Sequence, residues 1–437
     1  MTKCTQELFS FPACKRRKIK ARFDGGSVTS DGGSLLLRQA DRLLGLTAQA
    51  AEALEDPRRK ASCEHSLVDL LRQRVYGIAL GYEDLNDHET LRHDLAFQTA
   101  TDRDRSLSSP STLCRFENRM DREAAWKMNE LLVETFIASF DSPPEELILD
   151  FDATDDRVHG QQEGRAFHGY YDHYCFLPLY VFCGEHLLVS YLRPCRIDGA
   201  KHTLPILKLL VKRMRQVWPK VRIIFRGDSG FCRWKTLRWC DRHNVFYIVG
   251  LAKNKRVNRL AQDLHERAEN EFERTGEKQR LFGRVSYRAE TWDCEREVIA
   301  KAEHSRQGPN PRYVVTNLPG DPQELYDHVY CARGDMENRI KEQQLDLFSD
   351  RTSCHRWWAN QFRLLLSSLA YVLIQTIRRV GLKGTEMARA QCNTIRLKLF
   401  KIGAVLTRNT RSIHFRLSTA YPYQHLFWLV AQRLAPS

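Results

Sequence analysis

Apolar residues recur with helical spacing through the first third of the chain. Leu35, Leu36, Ala40, Leu43 and Leu44 form one stripe, and Leu67, Leu70, Leu71, Val75, Ile78 and Ala79 form another. Both follow the i, i+3, i+4 spacing of helices that bury one face. Pro110, followed by Ser111 and Thr112, predicts a capped start for a helix running through Leu113, Phe116 and Trp126. Ser142-Pro143-Pro144 marks a boundary, after which the period changes. Strands are predicted over 147–152, 174–183 and 186–193, the last two joined by a Gly184-Glu185 turn. A helix over 200–218, a strand over 221–226, a helix over 233–243 and a strand over 245–250 follow. This order predicts an α/β fold: a mixed sheet with a hairpin at one end and crossover connections after it.

The polar, charged stretch 253–312 interrupts that pattern. Short alternating segments near 281–287 and 298–302 mark it as a β-rich insertion, and Tyr313-Val314-Val315-Thr316-Asn317 reads as a returning strand. Helical character resumes near Leu325 and continues beyond Glu342. A strongly apolar helix over 362–377, an Arg-rich β-like stretch over 411–417 and an aromatic segment over 421–428 complete the chain. There are no internal repeats. The expected divisions are a basic arm and Gly/Ser-rich linker (1–34), a helical domain (35–142), an α/β core in two parts (143–252 and 319–350), the insertion between them (253–318), and a basic C-terminal region of helix and strand (351–437).

Charge makes a polyanionic partner the stronger reading. The net charge is +14, but residues 351–437 alone carry +13 and residues 1–22 carry +6, leaving 23–350 mildly acidic at −5. Basic ends around an acidic centre fit DNA binding outside and cation binding within. Thr112, Arg115, Asn118 and Arg119 on one helix face fit a DNA-reading helix and a solvated surface equally well. Thirteen cysteines, none in a Cys-x-x-Cys pair, argue against a disulfide framework and a zinc ribbon. His168, His173 and Cys175 lack a fourth ligand at sensible spacing, so packing is favoured over zinc. No apolar run reaches membrane-spanning length and the N-terminus lacks a signal-peptide core, so the expectation is a cytoplasmic, nucleoid-associated protein without a membrane partner.

Two-metal phosphodiester chemistry needs carboxylates converging from neighbouring strand ends. Asp152 ends the first strand, Asp228 ends a later one, and Glu337 lies on the helix after the last. Strand period two puts Asp150 on the same face as Asp152, so Asp150 rivals it for the first position, with Asp155 and Asp156 as further rivals. Each acid alone reads as a turn residue or a cap; their joint placement on one sheet sets them apart.

These motifs resemble those of bacterial insertion-sequence transposases of the DDE type, with a ribonuclease H-like core interrupted by a β-rich insertion. Asp152-Ala153-Thr154 matches the first acid's motif, Gly227-Asp228-Ser229 the second, and Tyr330, Arg333 and Glu337 the Tyr-x-x-Arg-x-x-x-Glu signature. The likeness extends over nearly the whole chain, with His168-Gly169-Tyr170-Tyr171 and Asn338-Arg339-Ile340-Lys341-Glu342-Gln343 among its closer stretches. It implies a catalytic trio Asp152, Asp228 and Glu337 holding two Mg²⁺, which Mn²⁺ could replace, and cut-and-paste transposition at inverted-repeat ends by a homodimer on double-stranded DNA. It also implies phosphate contacts from Arg333 and Tyr330. The family's lysine seven residues after the Glu is Gln344 here, which leaves Lys341 as its substitute. A base-stacking aromatic is implied in the insertion, where Trp292 is the candidate and sheet packing its equal rival. A nuclease without strand transfer and a domesticated, non-catalytic DNA-binding protein are the alternatives.

Overall fold

The computed structural model describes residues 8–435 except Lys60 and Ser62. Residues 1–7 of the expected basic arm, and 436–437, lie outside the described residues. The described residues form two compact units, one drawn from 8–51, 56–116 and 373–435, the other from 52–55 and 117–372.

In the first unit the basic arm is an antiparallel hairpin, Phe9–Cys14 against Arg17–Ala21, closed at Lys15 with φ 56°. The apolar stripes become helices Leu35–Leu44 and Leu67–Leu80, the second begun by a Ser66–Asp69 capping box. The C-terminal β-like stretch pairs far back in sequence: Ala404–Arg408 lies between Ile413–Leu417 and Ser27–Thr29. The aromatic segment near the C-terminus opens a helix, Gln424–Arg433.

The helix that starts at Pro110 stops at Asn118 and does not reach Trp126. The reason is local: the Asp121 carboxylate accepts from the Ala124 amide at 2.9 Å and starts a new helix, Arg122–Ala138. Arg119 lies beyond the first helix, so Thr112, Arg115, Asn118 and Arg119 do not share one uninterrupted helical face.

The second unit is built on a nine-stranded mixed sheet. Numbering the strands of this sheet alone, they are β1 (Glu146–Ala153), β2 (Leu179–Cys183), β3 (His186–Tyr191), β4 (Arg222–Gly227), β5 (Phe246–Leu251), β6 (Gln279–Tyr287), β7 (Arg296–Ser305), β8 (Gly308–Pro309) and β9 (Arg312–Thr316). The spatial order is β6-β7-β9-β5-β4-β1-β2-β3, with β8 beside β7. β1, β4 and β5 run parallel, β2 runs against β1, and β9 runs against β5. The stretch expected as one strand over 174–183 is two, His173–Phe176 and β2, separated by Leu177-Pro178.

The insertion differs from expectation in two ways. Its first part is helical, Lys255–Leu260 and Gln262–Thr275. Its strands add to the edge of the main sheet through β9 and β7.

Period two divides this sheet into two faces. Leu147, Leu149, Phe151, Ile223, Phe225, Tyr247 and Val249 pack with side chains of the helices Arg122–Ala138, Thr203–Val217 and Trp234–Arg242. Ile148, Ile224 and Ile248 point the other way, against Leu325, Tyr326, Val329 and Tyr330. A long helical stretch from Pro322 to Asp346 thus covers the second face, and 150, 152, 226 and 228 share the parity of that face.

Among the described residues one helix, Trp357–Gly381, is long and apolar enough to cross a membrane by length and composition, contrary to expectation; 83% of its window is buried, as in a core helix.

Candidate active site

Asp152 stands on the last turn of pleat in β1, and its Oδ2 accepts from Arg333 Nη1 at 3.1 Å. The other arm of the same guanidinium donates to Glu337 Oε1 at 2.7 Å. Tyr330, Arg333 and Glu337 lie three and four residues apart, which places them on one side of the helix. The winding is irregular there: a π turn over Leu325–Tyr330, a tight turn over Cys331–Arg333, α-helix over Gly334–Lys341, then a second π turn over Glu342–Asp346. Such irregularities re-aim side chains and recur at functional sites.

Asp228 follows β4 directly. It caps the short turn Ser229–Phe231, its Oδ1 accepting from the Gly230 amide at 2.9 Å. Tyr330 leans over this turn, and Gly250 on neighbouring β5 makes room for both. A methyl group on Gly250 would lie 2.6 Å from Tyr330 Oη and 2.8 Å from the Ser229 amide nitrogen, too close for any side chain. Gly250 is therefore a positioning residue that sequence reasoning missed, since an isolated strand glycine signals only a close approach.

Electrostatics tie the three acids together. Burial, then the charges of Asp228 and Glu337, push the Asp152 carboxyl up to about 6 against the opposing pull of Arg333. Burial alone would lower the Arg333 guanidinium; Asp152, Glu337 and Asp228 raise it. Burial raises the Tyr330 phenol, and Asp228 adds to the rise. Two carboxylates thus share one guanidinium, with the third, Asp228, within electrostatic reach.

Asp150, the rival for the first position, has a partner of its own. It is buried and holds Arg226 through two contacts, Nε to Oδ1 and Nη2 to Oδ2, the latter at 2.6 Å. The two residues face each other in the β1–β4 register, and Arg226 Nη1 also reaches the Val329 carbonyl on the covering helix. Burial raises the Asp150 carboxyl despite Arg226. The pair clamps two strands to the helix one pleat below Asp152 and Asp228.

Asp155 and Asp156 are likewise engaged. Asp155 pairs with His173 at 2.7 Å, and Asp156 is fully buried, its Oδ1 accepting from Gln344 Nε2 at 2.9 Å. Burial pushes the Asp156 carboxyl well up. Gln344 also donates to the Asp155 carbonyl at 3.0 Å. At the position where the resembled motif has a lysine, Gln344 fastens the helix to the segment following Asp152. Lys341 is exposed.

Trp292 is not placed to stack on a base. It is 5% exposed, packs edge-on against Tyr287 and is covered by the Arg296 guanidinium at 5.4 Å. The ring belongs to the core of the sheet, in which Tyr287 and Val298 also lie.

The donors fit a hard divalent cation: all are oxygens, negative charge exceeds positive, and burial, with smaller contributions from Asp228 and Glu337, holds the Asp152 carboxyl above its ordinary range. Among the described residues, no three of His, Cys, Asp and Glu form a ready ligand group. Asp152 and Glu337 are bound to different nitrogens of Arg333, so the guanidinium occupies the place between them. Asp152, Asp228 and Glu337 would hold a cation once Arg333 turned to another anion.

No curated protein matches the chain. Among solved structures, a piggyBac transposase synaptic complex with hairpin DNA is similar at 13% identity and a TM-score of 0.42, covering 94% of this chain and 83% of that one. The model of the family described as transposase DDE domain group 1 matches residues 11–437, and the chain belongs to that family.

Proposed function

We propose that the protein is a DNA transposase that cuts the inverted-repeat ends of an insertion sequence and joins the freed ends to new DNA. The observation that carries this reading is that Arg333 bridges Asp152 and Glu337, with Asp228 within electrostatic reach of both Asp152 and Arg333, at the end of the sheet where β1 and β4 terminate. The run β3-β2-β1-β4-β5, in which β2 alone opposes the others, supports a ribonuclease H-like core.

In this reading Asp152, Asp228 and Glu337 hold divalent cations, two Mg²⁺ or Mn²⁺ in their place. Such ions supply an activated water or 3′-OH and a counter-charge for the leaving oxygen. Arg333 is the residue that changes partner. Its planar fork, now split between two carboxylates, can take a phosphate bidentately. Tyr330 and Gly250 fix the Asp228 turn so that the second acid meets the first. The buried pair Asp150–Arg226 holds both strand ends in register, and Gln344 holds the segment after Asp152.

Double-stranded DNA, both transposon ends and target, is the proposed partner, with the exposed bases of the hairpin at 9–21 and of the C-terminal region as backbone contacts. Two ends must be joined, which calls for a homodimer on DNA. The proposed setting is the bacterial cytoplasm, at the nucleoid.

The test is a plasmid carrying, in inverted orientation, the two DNA segments that flank the coding gene, incubated with the protein, Mg²⁺ and a second plasmid. Excised fragment covalently joined to the second plasmid is the expected product. Cut ends without joined product would favour a nuclease, and binding without cutting a DNA-binding protein.

A further inference from the structure

β3 ends level with the first acid. In the register of the sheet Tyr191 of β3 faces Leu179 of β2, and Leu179 faces Ala153 of β1. Two strand spacings, roughly 10 Å, therefore separate Tyr191 from the residue after Asp152. β1 and β3 run the same way, since β2 opposes both. The chain leaving β3 passes through Arg193 and a loop over 194–202, then enters the helix Thr203–Val217. That helix packs on the face of the sheet away from 322–346, but it starts at the end where Asp152 and Asp228 stand. Asp198 in the loop pairs with Arg233, five residues beyond Asp228, at 2.8 Å.

This corner holds positive charge that the protein leaves unmatched. Arg193 is fully buried, yet among the described residues its guanidinium bonds only backbone carbonyls. Nε donates to Leu177 at 2.9 Å, and Nη1 to Gly199 at 2.9 Å and Lys201 at 2.6 Å. Nη2, shut from solvent, has no partner. Burial pulls the guanidinium down to about 10. A buried charge ordinarily has a counter-ion. The helix that starts beside it is uncapped: His202 stands at φ 70° with no side-chain bond to the first turn, and no acid follows in that turn. Two more buried polar atoms there have no partner, His202 Nδ1 and Thr203 Oγ1. Burial, then Arg193 and Lys201, push the His202 imidazole below its ordinary range. Unsatisfied groups of this kind are rare in folded proteins, and three adjoin one helix N-terminus. The dipole and free amides of such an end favour an anion.

We propose that Arg193, Lys201, Thr203 and the N-terminus of the helix Thr203–Val217 bind a phosphate of the DNA backbone, on a strand that crosses this end of the sheet from the acids. The inference rests on the DNA-processing reading above and adds a fixed point beside the cleavage centre. Asp198 now supplies the corner with negative charge, accepting from the Ala200 amide at 2.7 Å and from Arg233. Asp198 and Arg233 are both about half exposed, so their bond contributes little and a phosphate can displace it. The loop over 194–202 opens with that exchange, which bares Arg193 Nη2 and Thr203 Oγ1 as donors to the phosphate oxygens. Such a contact fixes register and reads no sequence.

The experiment measures binding of a labelled duplex by fluorescence anisotropy in EDTA over a range of salt concentrations. Thr203→Val removes one hydroxyl and no charge. It should weaken binding about tenfold on any DNA sequence, the worth of a hydrogen bond to a charged group. Its melting temperature should equal or exceed that of wild type, because the hydroxyl has no partner in the free protein. Lys201→Gln should lower the slope of log affinity against log salt by about one. Asp198→Asn removes the competing charge and should tighten binding about threefold, the worth of an exposed ion pair. A Thr203→Val variant that binds DNA as wild type does, or that melts below it, overturns the proposal. So does an Asp198→Asn variant that binds no tighter. Inorganic phosphate at constant ionic strength separates the sources of the anion. A rise in melting temperature that Thr203→Val abolishes, with DNA affinity unchanged, would assign the corner to a small free anion and overturn the DNA assignment. Failure of wild type to bind any duplex would instead sink the DNA-processing reading itself.

Discussion

Asp228→Asn is expected to lower DNA cutting by about a thousandfold or more while leaving DNA affinity within about twofold of wild type. The substitution keeps the shape of the side chain and the Oδ1 that caps the Ser229–Phe231 turn through the Gly230 amide. What it removes is one negative charge from a centre where Asp152, Asp228 and Glu337 already interact. If that charge holds a cation, losing it forfeits transition-state stabilisation of several kcal/mol, and about 4 kcal/mol corresponds to a thousandfold. Cutting rate on supercoiled plasmid and anisotropy on labelled ends measure the two quantities. Cutting that persists within tenfold of wild type would remove Asp228 from the chemistry.

The second large effect concerns stability. Arg226→Met leaves Asp150 buried beneath the helix without its partner. A buried charge stripped of its counter-ion costs about 3–5 kcal/mol, because the carboxylate must lose its charge or pull the structure open. Arg226 also reaches the Val329 carbonyl, so the variant loosens the helix that carries Arg333 and Glu337. The double variant Asp150→Leu with Arg226→Met removes both charges and should recover most of the loss. Chemical denaturation of the three proteins gives the comparison. A single variant as stable as wild type would mean the pair holds nothing together.

Legibility in the sequence followed the range of the interaction. Strand ends at Asp152 and Asp228 could be read locally, from alternation followed by a turn, and Glu337 from its spacing to Tyr330 and Arg333. The resemblance added the grouping of the three. The different surroundings of Asp150 and Asp152 depend on the β1–β4 register, because only that register brings Arg226 opposite Asp150. A register between parallel strands 76 residues apart leaves no local trace. Trp292 lies in the turn between β6 and β7, where Tyr287 and the Arg296 guanidinium bury its ring, so the packing reading of this residue describes it.

The helices at 255–275 were missed because few of their side chains are fully buried: Val257, Ala261 and Ala268 are, while Leu260 is exposed and much of the rest is charged. Hydrophobic period is weak where only a narrow stripe packs. The joining of 404–417 to Ser27–Thr29 was invisible because strand pairing across most of the chain depends on the fold as a whole. The strand His173–Phe176 was hidden by Pro178, which splits one expected strand into two.

The central claim is that Asp152, Asp228 and Glu337 hold divalent cations once Arg333 lets go. Crystals of the protein with a DNA end, soaked in Mn²⁺ and measured at the manganese absorption edge, test it most directly. The account predicts anomalous peaks touching carboxylate oxygens of all three residues, with Arg333 swung onto a phosphate. Manganese held elsewhere, or an Arg333 still bridging Asp152 and Glu337 in the DNA-bound protein, would contradict it.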